Sequence, residues 1–162
     1  MASLGFGISA TLSVLYLFSL VFLSVPHPSL SQQPDIHDLF PRVFGLPPGL
    51  IPNNVAFYDV DRDSGSFFIK LSWPCSVRIP FPVEYSEEIT GNIRYGAVSD
   101  LQGVRVLGPV GFAPLTEINV IDNGAGIEFH AGDDTQTLPA FLFQRVPACE
   151  NEGAAASLKS VV

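Results

Sequence analysis

From Val55 onward the apolar side chains fall at every second position, and this alternation constrains the fold more than any other feature of the chain. Successive side chains of a strand point to opposite faces, so such a run has one face to bury and one to leave in water. Val55 to Val60 reads as a short strand, followed by turn chemistry at Asp61-Arg62-Asp63-Ser64-Gly65. Phe67, Ile69, Leu71 and Trp73 then alternate with Phe68, Lys70 and Ser72. In the longer run that follows, Cys75, Val77, Ile79, Phe81, Val83 and Tyr85 share one face, with Ser76, Arg78, Pro80, Pro82 and Glu84 on the other. Proline gives no N–H to a ladder, so the Pro80–Pro82 part is an edge, a bulge or a bend. Ile89, Ile93 and Tyr95 share a face with Gly91, which marks a sharp bend or a close backbone approach.

Further strands are expected at Leu101 to Leu107, Leu115 to Ile121 and Ile127 to Ala131, the last two joined by a hairpin at Asn123-Gly124-Ala125-Gly126. Leu138 to Val146 supplies a final strand leading to Cys149. Ahead of the strands, Ile36, Leu39, Phe40, Val43 and Phe44 have the spacing of one helical face. Asp35 and Asp38 suit a helix start, Pro41 keeps the helix short or kinked, and Gly45 and Pro47 end it. No second long helical pattern occurs. The expected fold is therefore mainly β: a curled antiparallel sheet or β-barrel with a short N-terminal helix.

The 162 residues hold one ordinary domain. No charged side chain occurs before Asp35, and Leu12 to Val25 reads as the apolar region of a signal peptide. Ser29 and Ser31 then stand at the −3 and −1 positions of a cleavage site. Residues 1–31 are read as that leader, with an uncleaved membrane anchor over Leu4 to Val25 as the alternative. Residues 32–149 form one barrel-like domain and residues 150–162 a flexible tail that lacks the apolar stretch of a GPI signal. The expected location is outside the cell, by the secretory pathway. Two cysteines in an exported chain favour a disulfide between Cys75 and Cys149 over a metal site or a reactive thiol.

With 16 acidic against 8 basic side chains, the formal charge of −8 offers no basic patch to phosphate backbones or anionic headgroups. Nucleic-acid binding and strong binding to anionic membranes are not expected. Asp59, Asp61 and Asp63 alternate like the opening of a calcium loop, but Ser64 and Lys70 stand where that loop needs Gly and Glu. A solvated turn is the better reading, and no metal or cofactor is expected. A hydrolase needs a nucleophile beside a base, and there is no nucleophile elbow. His37 belongs to the helical segment, and His130 lies near Asp133 and Asp134 without an identifiable nucleophile, so no catalytic residue is assigned. The 13 phenylalanines fill a small core in the simplest reading; alternatively the interior is incompletely filled and accepts an apolar ligand. Such a site would be lined by Phe67, Ile69, Leu71, Val77, Ile79 and Phe81.

An ordered set of motifs resembles the plant proteins carrying the domain of unknown function 538. It comprises Leu46-Pro47-Pro48-Gly49-Leu50-Ile51-Pro52, Cys75, Tyr85 with Ile89-Thr90-Gly91-Asn92-Ile93, and Leu101-Gln102-Gly103-Val104. It continues with Phe129-His130-Ala131-Gly132, then Leu138-Pro139, then Pro147-Ala148-Cys149. His130-Ala131 departs from a more apolar pair, and Ile51 replaces a usual Leu. The resemblance implies a secreted β-barrel with an N-terminal helix. It also brings a proposed likeness to lipid-binding bactericidal permeability-increasing proteins and a proposed weak esterase-like action on chlorophyll, but no catalytic residues to carry over. The leading expectation is a non-enzymatic extracellular module for a lipid or other apolar small molecule. The alternatives are an ester hydrolase and a protein-interaction domain with a filled barrel.

Overall fold

The computed structural model describes residues 34–78 and 81–150. The expected leader, the tail beyond Glu150, and Ile79 with Pro80 lie outside the described residues. Eight strands form one antiparallel sheet: β1 (Val55–Val60), β2 (Ser66–Leu71), β3 (Cys75–Val77), β4 (Val83–Arg94), β5 (Ala97–Gly108), β6 (Gly111–Ile121), β7 (Gly126–Ala131) and β8 (Asp134–Pro139). Their order is β1-β2-β4-β5-β6-β7-β8, and β3 also pairs with β4. β1 and β8 do not pair, so of the two expected forms the curled open sheet is the one adopted. Asp134, Thr135, Gln136 and Thr137 of β8 are all exposed, which leaves that edge without an apolar face to bury.

The long run from Cys75 to Tyr85 is divided at its prolines. β3 folds back on β4 with Cys75 opposite Tyr85 and Val77 opposite Val83. β2 pairs farther along β4, Ser66 opposite Asn92 and Lys70 opposite Glu88, so β2 and β3 share one edge of that strand. The inward alternation of Phe67, Ile69 and Leu71 is kept, all three being buried.

Two local features turn the sheet's phase. In β5 the buried positions run Ala97, Val98, Leu101, Val104, Val106, which no unbroken period of two can produce. Asp100 (φ 51°) and Gly103 (φ 85°) absorb the extra residues. At Gly103 a Cβ would lie 2.1 Å from the Glu88 carbonyl oxygen, so glycine is required there. The result places Arg105 and Leu107 outside and Val104 and Val106 inside.

The concave face is closed by segments on either side of the strands, before β1 and after β8. Helix α1 (Ile36–Leu39) is capped by Asp35, whose carboxylate accepts from the His37 N–H at 2.9 Å. It passes into a wide π turn over Phe40–Phe44, ended by Gly45 at φ 64°. Ile36, Leu39, Phe40 and Phe44 are buried as expected, but Val43 is exposed, because the wider turn rotates it off the apolar stripe. Tyr95 is likewise corrected. It stands in the β4–β5 turn, 79% exposed, with its ring against Gly45 rather than in line with Ile93. The expected strand Leu138 to Val146 stops at Pro139, and a 3-10 turn over Ala140–Phe143 follows that buries Phe143 and exposes Phe141 and Leu142.

Cys75 and Cys149 are joined, with Cα atoms 5.4 Å apart. The bridge is flanked by backbone bonds. Glu150 N–H donates to the Ser76 carbonyl at 3.0 Å, and Cys149 N–H donates to Asn53 Oδ1 at 3.1 Å. The C-terminal segment is thereby held along β3.

Candidate functional site

The inward faces of β2 to β7 gather around one apolar cavity of about 50 Å3. Phe67 and Ile69 reach it from β2, Val77 from β3, and Phe81 from the β3–β4 link. These are four of the six side chains expected to line an interior site. Leu71 is fully buried but packs away from the cavity wall, and Ile79 lies outside the described residues.

Three further phenylalanines join the wall. Phe40 comes from the π turn, Phe129 from β7 and Phe143 from the 3-10 turn. Phe81, Phe129 and Phe143 form a mutual cluster: centroids are 5.7 Å apart for Phe81–Phe129, 5.3 Å for Phe129–Phe143 and 6.5 Å for Phe81–Phe143. The two pairs that Phe81 makes are edge-to-face, an arrangement aromatic quadrupoles favour. The alternation of Ile127 with Phe129 carried a signal for the second ring. Nothing in the sequence pattern pointed to Phe143, because its segment reads as a strand.

Among the described residues no charged side chain lines the cavity, and Tyr85 alone brings a hydroxyl to it, which donates to the Leu50 carbonyl at 3.1 Å. Burial raises the Tyr85 pKa above its ordinary value, so the phenol stays a neutral donor. The interior thus has apolar contact to offer a ligand and little else.

The family model described as a protein of unknown function, DUF538, matches residues 37–144. The chain belongs to the DUF538 family. No curated protein and no solved structure matches it significantly. The DUF538 match runs from α1 through the 3-10 turn and takes in Phe40, Phe67, Phe81, Phe129 and Phe143. Cys149 lies beyond its end.

Outside the cavity, a cluster among the described residues of the DUF538 domain has residue types found in hydrolases. His130 Nε2 lies 2.9 Å from Glu128 Oε1, and its Nδ1 lies 3.1 Å from Thr135 Oγ1. His130 is bonded to these two and not to Asp133 or Asp134. Strand register accounts for the group, since Glu128 and His130 alternate on β7 and Thr135 faces His130 from β8. None of the three residues borders the apolar cavity, so the cluster has no enclosed place for a substrate. The acidic turn of the DUF538 domain is also explained locally. Asp61 Oδ1 accepts from the N–H groups of Asp63 and Ser64, at 2.9 and 3.3 Å. Bonding from the Ser64 side chain, then from these N–H groups, lowers the Asp61 pKa.

Proposed function

We propose that the domain is a non-enzymatic binding module, acting outside the cell, whose interior takes a small apolar group. The observation that carries this reading is the uncharged, phenylalanine-rich cavity at the centre of the curled sheet. Its size limits the ligand. At about 50 Å3 it is roughly a third of the ~150 Å3 cavity that admits benzene, so it takes a few atoms and not a whole acyl chain. Phe81 is the side chain that yields to anything larger. It is half-buried and sits on the link between β3 and β4 rather than on a ladder. The disulfide supports the extracellular setting, since such bonds persist in oxidising compartments.

The small volume also favours a second reading, in which the interior is only scaffold and the outer surface contacts a protein partner. Titration with xenon, a single apolar atom that suits this volume, followed by its NMR chemical shift at low and high salt, separates the two. Binding in the interior is saturable and nearly independent of salt, because apolar burial drives it. It strengthens in Phe81→Ala, which enlarges the cavity, and disappears in Val104→Phe, which fills it. Near-UV circular dichroism establishes that both variants fold. No saturable binding to wild type or Phe81→Ala overturns the proposal and leaves the second reading.

A further inference from the structure

A ligand-sized space borders the outer surface of the sheet, where an open cleft of about 570 Å3 lies between Trp73, Ser76, Glu84, Glu87, Arg105 and Glu150. This volume falls in the ~300–1,000 Å3 range of small-molecule sites, which the interior cavity does not reach.

The cleft is built around the only tryptophan of the chain. Trp73 is 44% exposed, yet its backbone is fixed. Its carbonyl accepts from Asn54 Nδ2 at 2.9 Å, and the preceding Ser72 N–H donates to the Asn54 carbonyl at 2.9 Å. Two residues later the chain is cross-linked at Cys75. Asn54 itself is buried, so the anchor is set in the core. An indole held in water on an immobile backbone is a stacking platform that loses little entropy when a ligand covers it.

The charges of the cleft decide the ligand class. Glu84 Oε2 meets Arg105 Nη1 at 3.2 Å, Glu87 Oε1 meets Lys70 Nζ at 3.2 Å, and Glu150 Oε2 meets Arg78 Nε at 2.9 Å. Each of the three carboxylates already has a cation. A cationic ligand would have to compete with those partners, and an anionic one would face three carboxylates. A neutral polyol meets neither obstacle. Its hydroxyls can donate to the carboxylate lone pairs without displacing the cations, and the hydroxyls of Ser76 and Ser86 add further partners, while Arg105, whose Nη2 donates to the Phe112 carbonyl at 3.2 Å, holds Glu84 in place. The C–H face of a sugar ring is the apolar surface that stacks on an indole.

We infer that this cleft is a saccharide-binding site, with Trp73 as the stacking surface, Glu84 as the hydroxyl-reading group and Arg105 as the cation that positions it. Of its lining, only Tyr85 is shared with the interior site. The C-terminal segment forms one wall, because Glu150 is held to Ser76 next to the disulfide.

Isothermal calorimetry of the full domain with cellohexaose, xylohexaose, mannohexaose and chitohexaose tests the inference. At least one sugar is expected to bind saturably, quench Trp73 fluorescence, and change affinity less than about twofold between low and high salt, since no net charge is neutralised. Trp73→Ala and Glu84→Gln each weaken that binding about tenfold or more, while Trp73→Tyr restores much of it. The interior variant Val104→Phe leaves it unchanged, so failure of the apolar site and failure of this one read separately. The inference is overturned if none of the four sugars binds. It is equally overturned if binding survives Trp73→Ala, or if it falls steeply with salt.

Discussion

Removing the Cys75–Cys149 bond, as Cys75→Ala with Cys149→Ala, is expected to cost the domain about 4 kcal/mol. The bond spans 74 positions of sequence, most of the described chain, and so removes much of the freedom of the unfolded ensemble. Its loss also loosens the C-terminal segment, which is then held by its hydrogen bonds with Asn53 and Ser76 and by the exposed Arg78–Glu150 ion pair. Out of the ~5–15 kcal/mol by which domains are ordinarily stable, such a loss is large. Urea unfolding with and without the bond measures it. A midpoint shift worth less than about 1 kcal/mol would mean that the C-terminal segment is held without the cross-link.

Phe129→Ala is expected to destabilise the domain by a comparable ~3–5 kcal/mol. Phe129 is 5% exposed and its ring contacts both Phe81 and Phe143, so truncation enlarges the cavity and unpairs two rings at once. Phe141, two positions before Phe143, provides the comparison. It is 71% exposed, and Phe141→Ala should shift stability by no more than about 0.5 kcal/mol. Thermal and urea unfolding of the two variants side by side give the answer. Equal effects would show that the Phe81–Phe129–Phe143 cluster is not the centre of the core.

The strands were legible where one physical signal, alternation, acted alone. Phe67, Ile69 and Leu71 belong to a strand with one wet face, and no neighbouring element competes with that reading. Where the backbone departs from a regular pleat the signal fails. Asp100 and Gly103 each shift the phase of β5, and the partner that makes Gly103 obligatory is the Glu88 carbonyl of another strand. Pro139 hid a change from strand to 3-10 turn, so Phe143 was read on a ladder that does not extend to it.

The site was legible to the same degree. Its β2 and β3 walls follow from the pattern, whereas Phe40, Phe129 and Phe143 come from elements distant in sequence. Which rings meet is set by how the segments before β1 and after β8 close over the sheet. The outer cleft had no sequence signal at all. Trp73 reads there as one more member of an inward alternation, and the bend after β2 turns its ring outward instead.

Diffraction from a crystal of the domain under xenon pressure tests the central claim, an interior open to small apolar matter, most directly. Xenon is a single apolar atom, and apolar cavities in proteins take it up without rearrangement. An ordered xenon atom is expected among Phe67, Phe81 and Phe129, with the surrounding side chains in place. An interior that stays empty while xenon collects on the outer surface alone would contradict the account.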